Sequence, residues 1–359
     1  MQKLKILVAG STGYIGTELI KLLSKHKKVK IKYLCGNSSI GKTMSSYDKS
    51  LKNIKLPKII KFSEKLLNDV DVIYTALPNG EAQKISNKLK EHNTLIDLSA
   101  DFRLNNSKSY FKYYKIKHSS IKNIPKSIYA LPEIKNKQIK DFKIIGCPGC
   151  YPTSVLIPLI PLIRNNIISN KNIIIDSKSG YSGAGRGVHK KFKNQNLYES
   201  LSVYGIKTHR HNSEIQQELN NETGKKVEFT FTPHLSPMFR GILTTIYCDT
   251  TKKNNINTIY NQLKNFYKNN EFIKISKKNS LIGTNDVIYT NNCLISVCKS
   301  KVKNKVIILS AIDNLIKGGG GQAIQNMNLL FNFKQSMGLK WGMFLFYYYF
   351  FYKIARQQH

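Results

Sequence analysis

The sequence predicts an α/β chain with a doubly wound parallel sheet first and an α+β domain after it. Three observations lead there. A strand-like apolar run at residues 4–9 (LKILVA) passes through a glycine-spaced turn into a helix-patterned run at 14–23. Strand-like and helix-like runs then alternate as far as residue 150. Beyond it, strand-like runs dominate, which is the pattern of an antiparallel or mixed sheet.

Taken in order, residues 4–9 carry the uninterrupted apolar character of a buried strand, and 14–23 (YIGTELIKLL) space their apolar residues for a helix. A second strand fits 29–35, followed by a polar loop around 36–50. Buried strands fit 71–76 (DVIYTA) and 94–98 (TLIDL), with a helix near 81–91 between them. A short strand at 143–145 precedes an apolar helical run at 154–163. The second part offers strands at 171–177, 226–232, 240–249, 293–298 and 303–310. A glycine run, Gly318 to Gly321, leads into a helix at 322–331. The expected domains are 1–150 and 151–314, with residues 338–359 an atypical apolar tail. Within that tail, 341–352 (WGMFLFYYYFFY) is too short to cross a bilayer, which takes roughly 20 apolar residues.

Composition narrows the function classes. The chain has 359 residues, enough for two cores, and 41% are hydrophobic, which excludes a disordered chain. The formal net charge is +36. Taken alone, that charge suggests nucleic acid or an anionic surface as partner. The lysines are scattered, however, and Lys, Ile, Asn, Tyr and Phe are enriched together, as an AT-rich coding sequence would produce. No nucleic-acid partner and no membrane span are expected. A diffuse positive field would still draw anionic substrates inward. The 6 cysteines are spread along the chain and form no secreted disulfide framework. The first strand lies so near the N-terminus that no targeting segment is read, and a cytoplasmic protein is expected.

Gly10-Ser11-Thr12-Gly13-Tyr14-Ile15-Gly16 joins the first strand to the first helix. It is a GxxGxxG variant of the dinucleotide fingerprint, so the first domain is expected to be of Rossmann type. The helix N-terminus that follows offers N–H groups to phosphates. NAD sites place Asp or Glu about 20 residues further on. Here the second strand ends in Cys35-Gly36-Asn37-Ser38-Ser39, with Lys42 soon after. Nothing there repels a 2′-phosphate, and Ser38, Ser39 and Lys42 could hold one, so NADP (as NADPH) is the expected cofactor.

Cys150 is the candidate nucleophile. Pro152 suits the first turn of a helix, which would place Cys150 at its N-terminus, where a thiol's pKa falls. The alternative is a buried structural cysteine. A thiolate needs a proton manager, and His209 and His211, followed by Glu214, offer one. His209 is the first choice and His211 the second. Arg103, Arg186, Arg210 and Arg240 are candidate anion clamps, because a guanidinium grips phosphate or carboxylate in a fork; each could equally be a structural ion-pair residue. Cys147 and Cys150 have CxxC spacing and could form a redox pair, or Cys147 could point away. A zinc site from these cysteines with His209 and His211 is disfavoured by the HxH spacing, so no metal is expected.

Several motifs together resemble the N-acetyl-gamma-glutamyl-phosphate reductase family. They are Leu95-Ile-Asp97-Leu-Ser99-Ala-Asp101-Phe-Arg103-Leu104, Pro148 to Thr153, Ser179 to Arg186, and His209-Arg-His211 with Glu214-Ile215. Thr232 to Gly241, Gly283-Thr284-Asn285 and Lys317 to Asn328 continue the match. The resemblance covers the glycine loop to about residue 333. It implies a fold similar to aspartate-semialdehyde dehydrogenase, the second domain serving substrate binding and dimerisation and residues 315–335 returning to complete the first. It implies reduction of a small acyl phosphate, N-acetyl-L-glutamyl 5-phosphate, to the 5-semialdehyde by NADPH through a thioester on Cys150, in arginine biosynthesis. It also implies a homo-oligomer (dimer or tetramer), cofactor contacts from Gly183 and Asn326, and a substrate-side place for Glu214. Two departures stand out: Cys147 replaces the family's usual Asn, and Gly319-Gly320 replace alanines. The competing readings are an acyl-phosphate reductase acting on an aminoadipyl substrate and a basic nucleic-acid-binding protein on a Rossmann scaffold.

Overall fold

The computed structural model describes residues 3–187, 199–251 and 254–340. Two seven-stranded sheets carry the chain. The first contains β1 (Leu4–Ala9), β2 (Val29–Cys35), β3 (Ile59–Ile60), β4 (Val72–Thr75), β5 (Thr94–Asp97), β6 (Ser127–Tyr129) and β7 (Ile144–Gly146). Its order is β3-β2-β1-β4-β5-β7-β6, and every pairing is parallel. The order reverses between β2 and β4 on either side of β1. A crevice outside the carboxyl ends of the strands at such a switch point is where ligands bind in doubly wound sheets. The glycine loop leaves β1 at that edge, and Cys150 follows β7 at the same edge.

Helices α1 (Tyr14–Leu23), α2 (Glu81–Ser86), α3 (Ser107–Tyr114) and α4 (Pro132–Lys135) belong to this first part. One face of the sheet shares a core with α1, where Ile6, Val8, Val72 and Tyr74 meet Leu19, Ile20 and Leu23. The other face packs Leu7, Ile73 and Leu95 on Leu67, Ala82 and Ile85. Burial of the strands on both faces explains their unbroken apolar character in the sequence. Late in the chain, Ile316, Ala323, Ile324 and Met327 join the α1 face. The helix predicted at 81–91 is shorter than expected, because Asn93 bonds Leu67 O and Val70 O and draws the chain into β5.

The second sheet contains β8 (Ile173–Gly180), β9 (Ser202–Val203), β10 (Phe229–Ser236), β11 (Ile242–Asp249), β12 (Ile273–Ile275), β13 (Cys293–Lys299) and β14 (Lys305–Ile312), in the order β12-β13-β14-β11-β8-β10-β9. It is mixed: β8 and β10 run parallel, and β11 runs antiparallel to both β8 and β14. One face packs on α5 (Cys150–Arg164), α6 (His211–Thr223) and α7 (Ile256–Phe266). The other is only part-covered. Along β11, Ile242, Thr244, Ile246 and Cys248 are buried while Leu243, Thr245 and Tyr247 are half-buried, and Ile174 of β8 is exposed.

α5 is buried along almost all its length despite Pro158 and Pro161 in its interior. An interior proline leaves the carbonyl four residues back without its helical donor. For Pro161 that carbonyl is Ile157 O, and it accepts Tyr267 OH at 2.6 Å. The last helix among the described residues, α8 (Gly321–Leu330), follows a π-turn over Ile316–Gly320. Residues after it fold back: Asn328 Nδ2 donates to Gln335 O at 2.9 Å and Met337 O at 3.0 Å, and Leu339 is buried in the α1-side core. The predicted tail therefore begins inside the folded body, and the aromatic run 341–352 lies outside the described residues. Among the described residues no helix is long and apolar enough to cross a membrane.

Candidate active site

The loop after β5 is a hydrogen-bonded scaffold. Asp97 accepts Thr75 Oγ1 at 2.7 Å, Ser99 Oγ at 2.5 Å and the Asp101 and Phe102 amides at 3.1 and 3.3 Å. This nest aims Arg103 inward. Its Nε donates to Cys147 O at 2.7 Å, Nη1 to Glu214 Oε1 at 3.1 Å and Nη2 to Leu98 O at 3.0 Å. All three nitrogens are thus engaged inside the protein. Arg103 thereby braces the turn that carries the nucleophile.

That turn runs from β7 into α5. Gly149 caps the helix in extended backbone, and Cys150 is its first residue. The buried carboxylate of Glu214 accepts the Gly149 amide at 3.0 Å and Tyr129 OH at 3.3 Å. The other oxygen holds Arg103, so Glu214 ties α6 to the turn. On the far side, a Cβ built on Gly318 would lie 2.6 Å from Cys150 Cβ, so only glycine lets the π-turn approach the nucleophile this closely.

Cys150 is half-buried. Burial pushes its thiol up to about 11, against the pull of the Arg103 charge and the backbone N–H groups. The lowered pKa expected from the helix N-terminus is therefore corrected: desolvation outweighs the helix-end effect.

His211 opens α6 and packs on the same turn. A Cβ on Gly149 would stand 2.4 Å from its Nε2. Nε2 lies 3.7 Å from Glu214 Oε1, and Nδ1 is buried with no hydrogen-bond partner. Burial, then His209, Arg103 and Arg210, hold its pKa well below the ordinary histidine range. His209 accepts the His211 amide on Nδ1 at 3.2 Å. Its ring lies edge-on to Tyr151, Tyr204 and His211, at 5.5, 5.3 and 4.8 Å between centroids. Burial and the Arg210 charge lower it to about 4. The adjacent Tyr204 OH donates to Tyr151 OH at 3.2 Å, and Tyr151 OH to His234 O at 2.9 Å. Both histidines are thus neutral bases at pH 7.

The other arginines separate. Arg240 is buried and pairs Nη2 with Glu18 at 2.7 Å and Nη1 with Asp313 at 3.2 Å, its guanidinium 4.3 Å over the Tyr289 ring. It ties α1 to the head of the π-turn. Arg186 lies on the glycine loop. Arg210 is exposed, 5.4 Å over the Tyr114 ring and next to both histidines.

On the cofactor side, Gly10 has φ +84°, and a Cβ there would meet Ala76 O at 2.2 Å. Gly13, by contrast, has its nearest such neighbour at 3.7 Å, leaving room beside the N-terminus of α1. This glycine cradle, with backbone amides as donors, fits a pyrophosphate. Thr12, Tyr14 and Ile15 are part-exposed around it, and Ile15 Cγ2 would lie 3.7 Å from a Cβ on Gly319. Ser11 and Ser39 are turned inward: Ser11 Oγ donates to Cys35 O at 3.2 Å, and Ser39 Oγ accepts Tyr47 OH at 2.6 Å. Ser38, Lys42 and Gly183 are exposed. Asn326 is fully buried: Nδ2 donates to Ala130 O at 3.0 Å, and Oδ1 is buried with no hydrogen-bond partner.

Cys147 belongs to the α1-side core, its sulfur 3.7 Å from Asn326 Nδ2, while Cys150 packs against the core of the second sheet. Burial raises Cys147 to about 12, and both cysteines are free thiols. The two side chains serve different cores, which is the bystander arrangement. Among the described residues no group of His, Cys, Asp and Glu could hold a metal ion. One residue of the last motif has a role that its place in the motif does not reveal. Lys317, fully buried before Gly318, pairs with Glu133 at 2.6 Å and donates to Gln325 at 2.9 Å, fixing the π-turn to α4 and α8.

The semialdehyde dehydrogenase NAD binding domain matches residues 5–142, and the semialdehyde dehydrogenase dimerisation domain matches residues 150–314. The chain is 43% identical over 338 residues to an N-acetyl-gamma-glutamyl-phosphate reductase of Thermoanaerobacter pseudethanolicus, covering 93% of this chain and 97% of the relative. It is 37% identical over 336 residues to a probable chloroplastic N-acetyl-gamma-glutamyl-phosphate reductase of Arabidopsis thaliana, covering 94% of this chain and 84% of the relative. Among solved structures it is similar in fold to aspartate semialdehyde dehydrogenase II from Vibrio cholerae, with TM-score 0.69 and 17% identity over 92% of this chain and 99% of that one. Identity at that level along nearly the whole of both sequences places the chain in the N-acetyl-gamma-glutamyl-phosphate reductase family.

Proposed function

We propose that the chain reduces N-acetyl-L-glutamyl 5-phosphate to N-acetyl-L-glutamate 5-semialdehyde with NADPH, through a thioester on Cys150, as a step of arginine biosynthesis. One observation carries the reading: the π-turn lies between the two halves of the chemistry, with Gly318 against Cys150 and Gly319 against Ile15 of the glycine loop.

At neutral pH the pair starts as a thiol and a neutral imidazole. His211 is the better base: its buried Nδ1 has no partner and is free to accept the thiol proton, while Nε2 lies 3.7 Å from Glu214. The sulfur attacks the carbonyl carbon, the C–O bond to phosphate breaks, and the thioester remains. Gly10 to Gly16 would hold the NADPH pyrophosphate, and the bound cofactor supplies the hydride. When the carbon–sulfur bond breaks, the proton on His211 returns to Cys150; its low basicity makes it a ready donor. His209 sets the ring environment of Tyr151 and His211. Arg210 is the arginine exposed beside the histidines and is suited to the substrate's anionic groups. The part-covered face of the second sheet, with Leu243, Tyr247 and Ile174, is suited to a second copy in a homo-oligomer.

The test is the reverse reaction: phosphate-dependent reduction of NADP⁺ by N-acetylglutamate semialdehyde. Turnover is expected, absent in Cys150→Ser and lowered about 10²- to 10⁴-fold in His211→Asn, the range of general acid–base help. No turnover in wild type, or faster turnover of the aminoadipate semialdehyde analogue, would overturn the assignment.

A further inference from the structure

We propose that Arg186, carried over from the second sheet, reads the 2′-phosphate of the cofactor. The assignment rests on the NADPH reading above and deepens it.

Arg186 follows β8 through a short turn over Tyr181–Ala184. Its guanidinium then reaches the first sheet. Nε donates to Thr12 O at 2.7 Å and Nη2 to Thr17 Oγ1 at 3.5 Å. The guanidinium carbon stands 4.4 Å from the centre of the Tyr14 ring and 6.0 Å from that of Tyr47. Thr12, Tyr14 and Thr17 belong to the glycine loop and α1. Tyr47 belongs to the segment after β2, and its hydroxyl is bound to Ser39. Arg186 therefore spans the gap between the glycine loop and the end of the second strand. That gap is where a dinucleotide-binding sheet places the ribose 2′ group, and an arginine there accommodates a 2′-phosphate.

The sequence offered Ser38, Ser39 and Lys42 for this role. Ser39 is buried with its hydroxyl on Tyr47, while Ser38 and Lys42 are exposed. Arg186 is exposed too, but its plane is set by the Tyr14 ring and by the bond to Thr12, so a phosphate meets a pre-oriented fork. The neighbouring acids are neutralised elsewhere: Asp48 pairs with Lys21, and Glu18 with Arg240. Cofactor choice would then depend on a residue of the second domain seated on the first.

Direct binding tests this without turnover. NADPH and NADH are titrated into wild type, Arg186→Met, Arg186→Lys and Lys42→Met with no substrate present, and melting temperatures check folding. Wild type should prefer NADPH. Arg186→Met keeps the stem over Tyr14 and should weaken NADPH about 10- to 100-fold, the loss of one charge-assisted contact, with NADH within about twofold. Arg186→Lys should recover part of the loss. Equal affinity of wild type for both cofactors would remove the NADPH reading itself. A wild-type preference that survives in Arg186→Met, or is lost in Lys42→Met instead, overturns the assignment to Arg186. So does a parallel loss of both cofactors, which would make Arg186 a prop for the loop.

Discussion

Replacing Gly149 by alanine isolates the contact between the nucleophile turn and His211. The backbone there has φ −66° and ψ 159°, which alanine adopts without strain. On backbone grounds the change should stabilise the fold by about 0.4–1 kcal/mol. The side chain reverses that sign. The new Cβ would stand 2.4 Å from Nε2 of His211 and 2.8 Å from Cδ2 and Cε1, where contact begins at 3.4 Å. His211 or the turn must yield about 1 Å, and overpacking of this kind costs about 1–3 kcal/mol. The net expectation is a loss of roughly 1–2 kcal/mol. The same displacement separates the base from the sulfur, and a misplacement of about 1 Å costs on the order of 10²-fold in rate. The assay is kcat in the reverse reaction with chemical unfolding alongside, repeated in a His211→Ala background. There the clash is gone, and Gly149→Ala should become neutral or stabilising, a sign change read as a double-mutant cycle. A kcat within about threefold of wild type, or equal destabilisation in both backgrounds, would refute the packing argument.

Three further outcomes follow from the same geometry. Because burial holds Cys150 up at about 11, its alkylation by iodoacetamide in the cofactor-free protein should climb steadily from pH 7 to 10; peptide mass spectrometry showing a rate plateau near pH 6 would reveal a resting thiolate instead. His209 is held at about 4 in the fold by burial and Arg210, whereas an unfolded histidine binds its proton near 6.5. The stability it contributes is therefore full above about pH 6.5 and lost as pH falls to 4, up to roughly 3 kcal/mol, and His209→Asn should flatten that limb of the unfolding curve; an unchanged slope would contradict this. Finally, a chain stopped after residue 337 lacks buried Leu339 and should be about 1.5–3 kcal/mol less stable than one stopped after residue 340. Identical melting of the two would show that Leu339 adds nothing.

What the sequence reveals and what it hides divide along physical lines. The glycine loop and the place of Cys150 are legible because both are local: a strand, a turn needing glycine and a helix start lie within a few residues. The parallel first sheet and the mixed second one follow from periodicity for the same reason. The arginines were not sorted, because their partners are remote: Arg103 meets Glu214 at a separation of 111 residues, and Arg240 meets Glu18 at 222. Charge type is visible in a sequence, and pairing is not. The spacing of His209 and His211 put both in one turn, but which ring faces Gly149 is decided by how α6 packs on α5. The helix-end argument for a low thiol pKa was sound locally and lost to burial, a tertiary quantity. Pro161 lies inside α5, and the donor its ring removes is supplied by Tyr267, about 110 residues away in the chain.

The return of the chain to its first sheet also bears on how the protein is made. The core built on Ile6, Val8 and Leu19 is finished by Ile316, Ala323, Ile324 and Met327, and Leu339 closes it. During synthesis at about 5–20 residues per second, the first sheet, complete at Gly146, emerges roughly 8–35 s before the segment from Ile316 that covers it. For that interval its α1 face is open, while the second sheet finds its own helices α5, α6 and α7 already in the emerging chain. The cofactor half of the molecule begins first and is completed last, so a nascent chain stalled short of residue 316 would expose an apolar face to chaperones and a glycine loop without its π-turn.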